Sequence, residues 1–171
     1  MPRSASLAQL RLHADVEARA RHDHHDALRL WLRLLATTNL LTGRVRTRLQ
    51  EEFATTLPRF DLMAQLERAP DGLKMGELSR RMMVTGGNVT GITDLLEREG
   101  LVVRVGDRHD RRALRVRLTT AGRRAFAAMA QAHERWIIEA FAPLTRTDIA
   151  LMADLLGRVK THLQAAEGSL R

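Results

Sequence analysis

Residues 85–94, TGGNVTGITD, set short polar side chains at the start of a helical pattern. Thr85 suits an N-cap, residues 86–99 suit a helix, and Gly100 suits the left-handed position that ends it. Val89, Ile92, Leu95 and Leu96 are expected to face inward, leaving Asn88, Thr90 and Thr93 outside. A helix that enters a major groove presents short polar groups at its N-terminal end to base edges and phosphates. Gly86, Gly87 and Gly91 are poor helix formers, each costing up to about 1 kcal/mol relative to Ala. Close approach of the backbone to nucleic acid is one reason to keep them; tight packing in a small helical hairpin is the other. A second group is the charged run at 107–112, DRHDRR, between two strand-like runs. An Arg at a hairpin tip can enter a minor groove, where negative potential is enhanced, and a carboxylate two residues before it can hold the guanidinium. The plain alternative is a solvated turn. A third is HDHHD at 22–26, where His22 and His25 stand one helical turn apart with His24, Asp23 and Asp26 beside them. Such a set can bind metal, although no second cluster supplies further ligands and a polar helix start explains it equally. His109 reads as an exposed turn residue and His133 as part of a helix face. No nucleophile elbow, phosphate-binding loop or dinucleotide fingerprint occurs, which argues against an enzyme.

Several helices are needed to position these groups. Ser6 with Gln9 forms a capping-box signature, predicting a short leading helix with Leu7, Leu10, Ala14 and Val16 along one side. Residues 26–53 carry the longest helical period, through Leu28, Trp31, Leu32, Leu35, Asn39, Thr42, Arg46 and Leu49. Leu30, Leu34 and Leu41 add a second stripe, as in a helix buried from two sides at the centre of a dimer. Pro58 opens a third helix, and Pro70-Asp71-Gly72 closes it. A short helix over 74–82 and a turn through Gly87 lead to the glycine-rich helix. Residues 101–105 are β-branched, and residues 113–118 alternate, with Leu114, Val116 and Leu118 on one face. Thr119 or Thr120 caps a helix reaching Phe141, in which Phe126, Met129, His133, Trp136, Ile137 and Ala140 share a face. Pro143 breaks it. The last helix, over 147–166, aligns Ile149, Met152, Leu155, Leu156, Val159 and Leu163. The expected fold is mainly α with a small β-hairpin wing: an arm at 1–25, a helical dimerisation region at 26–56 and 120–167, and a winged helix-turn-helix lobe at 57–119.

The bulk composition fits this reading. The chain has 171 residues, 44% of them hydrophobic but only 4% aromatic, so its core is Leu, Ala, Met and Val on helices. The net charge of +8 suits a polyanion, either nucleic acid or an anionic membrane surface. Cysteine is absent, which excludes disulfides, Cys-ligated zinc and thiol sensing. No run approaches the ~18 apolar residues of a membrane span, and the first residues lack the apolar stretch of a secretory signal. A cytoplasmic protein is expected. Polar residues interrupt the stripe of the long helix at Thr38, Asn39, Thr42 and Arg46, beside Trp31 and Leu35. Buried polar groups need partners, so these residues suggest a cavity that Phe60, Met63 and Trp136 would close. A flat apolar slot with an Arg suits an aromatic acid or its thioester. Alternatively, Trp31 and Trp136 are ordinary dimer-core residues.

The block GELSRRMMVTGGNVTGITDLLEREGLVVRVGDRHDRRALRVRLTTAG resembles the MarR family of winged helix-turn-helix regulators, and the order of the flanking helices agrees from about residue 26 onward. The resemblance implies a homodimeric repressor without a cofactor, bound to double-stranded operator DNA and released by a small-molecule effector. It also implies that Asp110 and Arg112 are the wing pair, with Arg111 a further phosphate contact, and that Gly86 to Thr93 begin the recognition helix. The stretches LRLWLRLLATTNL and LPRFDLMAQLERAP are similar to the branch that senses hydroxycinnamoyl and other aromatic acyl-CoA thioesters. That similarity makes a CoA thioester the first candidate effector and a free aromatic carboxylate the second, with Arg44, Arg48 and Arg59 as partners for the CoA phosphates. A nonspecific architectural DNA-binding protein and a metal-sensing regulator are the alternatives.

Overall fold

The computed structural model describes the backbone of residues 7–106 and 114–168, and the side chains of residues 25–106 and 114–166. The chain divides into Met1–Arg44 and Val45–Arg171. The first unit is helical throughout its described length, as the start of α1 (Leu7–Phe53). The separate leading helix expected from the capping box does not occur. Between residues 7 and 53 there is no proline and a single glycine, Gly43, so nothing in the chain breaks the helix. Leu28, Leu30, Trp31, Leu32, Leu35 and Leu40 are all exposed on it.

The second unit begins with the last turns of α1, where Val45 and Leu49 are buried. Ala54, at φ +49°, ends the helix in the left-handed region, and the Thr55 N–H donates to the Leu49 carbonyl at 3.2 Å. There follow α2 (Leu57–Glu67), β1 (Leu73–Lys74), α3 (Met75–Met82), α4 (Gly86–Arg98), β2 (Val102–Gly106), β3 (Leu114–Leu118), α5 (Thr120–Ala140) and α6 (Arg146–Gly168). The strands form one antiparallel sheet in the order β1-β3-β2. Val102 pairs with Leu118 at one end of the hairpin and Gly106 with Leu114 at the other. Strand β1 was missed in the sequence because two residues show no period; it pairs Leu73 with Val116, and Arg115 Nη1 donates to the Gly72 carbonyl at 2.9 Å. Val116 and Leu118 are buried as the alternation predicts, but Leu114, third in that stripe, is exposed at the open end of the ribbon.

Leu62, Met63 and Leu66 of α2, Leu78 of α3, Val89 and Leu96 of α4, and Val102 and Val116 of the sheet pack into one core with Met129 and Trp136 of α5. Phe60 stacks on Phe126 (centroids 5.5 Å apart) and on His133 (5.0 Å). Burial lowers the His133 pKa, an effect that the charge of Asp61 opposes. The α5 cap is Thr119, whose hydroxyl accepts from the Gly122 N–H at 2.9 Å.

Candidate nucleic-acid interface

Helices α3 and α4 and the β2–β3 ribbon are the parts of a winged helix-turn-helix. The Lys74 N–H donates to the Glu77 carboxylate at 2.9 Å, fixing the start of α3. Met83 closes α3 in the left-handed conformation, with its N–H directed at the Arg80 carbonyl (3.3 Å) and the Val84 N–H at the Ser79 carbonyl (3.2 Å). Thr85 is the N-cap of α4 by its extended backbone, although its side chain makes no capping bond. The first N–H groups of α4 therefore point outward without a side-chain acceptor at the cap, the arrangement that attracts phosphate.

The outer face of α4 carries Gly87, Asn88, Thr90 and Gly91, all exposed. Thr90 donates to the Gly86 carbonyl at 3.0 Å. Among the described residues, the Asn88 amide makes no hydrogen bond, so it is available for an outside partner. A Cβ added at Gly87 or Gly91 would meet nothing within 4 Å, and at Gly86 only the Ser79 hydroxyl at 3.9 Å. Packing inside the lobe therefore does not explain these glycines. Thr93 departs from its expected role. It is fully buried, and its hydroxyl donates to the Val89 carbonyl at 2.7 Å. It lies one turn after Val89, on the inward stripe, and so cannot reach DNA. Leu95, expected inside, is 43% exposed because it falls beside that stripe.

Arg104 of β2 ties the ribbon to α4. Its guanidinium pairs with Asp94 and with Glu97, one turn apart on α4, and its backbone N–H donates to Glu97 Oε1 at 3.0 Å. Hydrogen bonding to Asp94 is the first cause that raises the Arg104 pKa. Strand and helix thus hold a fixed mutual angle. The wing residues Asp110, Arg111 and Arg112 lie outside the described residues, in the connection between the paired ends Gly106 and Leu114.

The residues expected around an effector are distributed as follows. Trp31, Leu35, Thr38 and Asn39 are exposed on the first unit, and Thr42 there is half-buried. In the second unit Arg46 is exposed, whereas Phe60, Met63 and Trp136 belong to the packed core. Arg59 pairs with Glu99. Arg48, which the effector reading had placed on a CoA phosphate, lies over the Trp136 ring at 5.8 Å and pairs with Glu139 at 2.7 Å. An apolar cavity of about 470 Å³ lies elsewhere, between the end of α5 and α6, lined by Ile137, Ile138, Phe141, Leu144, Ile149 and Met152 among others. The side chains of His22 and His24 lie outside the described residues. Among the described residues, no helix is long and apolar enough to cross a membrane.

Comparison with known proteins places this architecture. A model of the MarR family matches residues 55–113. The transcriptional activatory protein BadR of Rhodopseudomonas palustris is 35% identical over 107 residues, and the match spans 61% of this chain and 61% of BadR. A mutant MarR from E. coli, solved in complex with operator DNA, shares the fold with a TM-score of 0.67 at 23% identity, covering 76% of this chain and 92% of that one. The crystal structure of a MarR family transcriptional regulator from Silicibacter pomeroyi aligns with a TM-score of 0.70 at 33% identity, over 82% of this chain and 97% of that one. Sharing that identity over nearly the whole of a known regulator, and with the family model lying on its helix-turn-helix lobe, the chain belongs to the MarR family of winged helix-turn-helix transcriptional regulators.

Proposed function

We propose that the protein is a homodimeric repressor that binds a pseudo-palindromic operator of about 15–20 base pairs, with α4 of each copy in the major groove one turn apart, about 34–36 Å. The observation that carries DNA reading is the open face of α4, where Gly87 and Gly91 are exposed with nothing within 4 Å of an added Cβ. The dimer reading rests on α6. Ile149, Leu151, Met152, Leu155, Leu156, Val159 and Leu163 are each at least 40% exposed on it. An apolar face of that extent marks an interface. The cavity at its base is lined by apolar residues alone, which suits a second copy better than a ligand that needs polar groups for orientation.

The test is footprinting on the chain's own promoter region, followed by titration of the protected fragment. Binding is expected to fall steeply with salt through counterion release. Arg112→Ala is expected to weaken binding by about 1–3 kcal/mol and leave the dimer intact, and Asp110→Ala to act in the same direction but less. Affinity that is flat in salt, or a monomer at micromolar concentration, would contradict the proposal. BadR is by name an activatory protein, so transcription of the adjacent gene is measured too; a fall on deletion of the regulator would replace repression by activation.

The effector in this reading is an aromatic acyl-CoA thioester, with a free aromatic carboxylate second. Its support is the sequence resemblance together with Arg48, a cation held against the indole of Trp136 and already bonded to a carboxylate. A flat aromatic anion presents the same two groups that Arg48 now engages. Micromolar p-coumaroyl-CoA is expected to release the operator, and CoA alone to leave it bound. Release by p-coumarate alone would transfer the role to the free acid, and release by neither would remove this class of effector.

A further inference from the structure

Met83 is the most exposed large apolar residue described, at 92%, and it sits at the tip of the helix-turn-helix. Its backbone is left-handed, at φ +54° and ψ +38°, a conformation that favours glycine and disfavours a long side chain. Val84 beside it is also exposed. A bulky apolar residue in an unfavourable backbone state, in full contact with water, contributes nothing to the core. Backbone strain retained in this way points to an external role.

The surroundings define the partner. From Leu78 to Thr93 the chain has no acidic residue, and Arg80 and Arg81 stand immediately before the tip. On the other side begins α4, with its outward N–H groups and open glycines. The tip is therefore an apolar group framed by positive charge and by donors, and it approaches a polyanion without repulsion. In the major groove, base edges offer donors and acceptors with one apolar exception, the C5-methyl of thymine. We propose that Met83 packs its thioether against a thymine methyl at the edge of each half-site and so makes the protein discriminate thymine there. Methionine suits this contact because its side chain is long, unbranched and polarizable. The inference rests on the operator reading given above.

Deoxyuridine removes that methyl and changes nothing else in the base pair. In the footprinted operator, thymines are replaced one position at a time, symmetrically in both half-sites. One position is expected to cost the wild-type protein roughly fourfold in affinity per half-site, the worth of one buried methyl. Met83→Gly and Met83→Asn both accept the left-handed backbone, so their melting temperatures are expected to equal or exceed that of wild type. Both are expected to bind the thymine operator more weakly and to show no further loss with deoxyuridine at that position. A footprint without any deoxyuridine-sensitive thymine, or variants that keep the full discrimination, would overturn this inference alone. No footprint at all would overturn the operator reading and this inference with it.

Discussion

Gly122→Ala is expected to unfold the winged lobe at temperatures the wild-type protein tolerates. A Cβ at this position would sit 1.9 Å from the Leu101 carbonyl oxygen and 2.9 Å from its carbon. Neither side can yield cheaply. The Leu101 carbonyl already accepts the Thr119 N–H at 3.0 Å, and Leu101 leads directly into β2. Gly122 donates its N–H to the Thr119 hydroxyl at 2.9 Å, and that hydroxyl donates in turn to the Gly100 carbonyl at 2.7 Å. The start of α5, the end of the α4 turn and the base of the ribbon thus meet at one point, with backbone against backbone. Overpacking of side chains costs about 1–3 kcal/mol, and a rigid carbonyl puts this site at or above the top of that range. For a chain of this size the melting temperature is expected to fall by roughly 6 °C or more. Gly43→Ala is the control: a Cβ there meets nothing within 4 Å. Thermal unfolding of the two variants decides the matter, and a Gly122→Ala protein that melts with wild type would show that the contact relaxes.

This junction also accounts for the most specific part of the sequence pattern. Leu118 is the buried last residue of β3, Thr119 is the α5 cap, and Gly122 admits the Leu101 carbonyl. The spacing Leu-Thr-x-x-Gly is thus a local geometric requirement, and such requirements are legible in a sequence. So are the long helices, because their apolar period is sustained over many turns. Four features were not legible. Strand β1 is too short to carry a period. The inward face of α4 was misread at two residues: Thr93 lies one turn after Val89 on the buried stripe, and Leu95 falls beside that stripe. Thr93 is buried because its hydroxyl finds the Val89 carbonyl, a local bond that makes a polar residue acceptable inside. The residues grouped as an effector site illustrate a different limit. Phe60, Met63 and Trp136 were grouped by residue type, and aromatic and thioether side chains serve a packed core as readily as a ligand slot. Arg104 was not anticipated either. The available signal was Asp94 and Glu97, three residues apart on a helix and followed by a strand Arg, a pattern with many surface counterparts.

Gly87→Ala and Gly91→Ala are expected to separate stability from DNA binding, moving them in opposite directions. Both residues lie on the exposed face of α4, one turn apart, and neither an added Cβ nor its hydrogens would touch the lobe. In the free protein the substitutions relieve the entropic cost of glycine in a helix, so each is expected to stabilise α4 by about 0.5–1 kcal/mol, less at Gly87 in the first turn. In the proposed complex the same methyl groups would lie between the helix backbone and the groove. An interface packed as closely as glycine permits has no room for them, and an overpacked contact loses about 1–3 kcal/mol. Each substitution would enter the proposed dimer twice, so operator affinity is expected to fall by roughly one to four powers of ten. The unfolding midpoint should rise by a few degrees over the same variants. Titration of the footprinted operator against each variant, with thermal unfolding of the same preparations, reads both quantities. A variant with raised stability and unchanged affinity would mean that the glycine face of α4 never approaches DNA. The loss of both together would mean that the glycines serve the lobe itself, contrary to the open space around them.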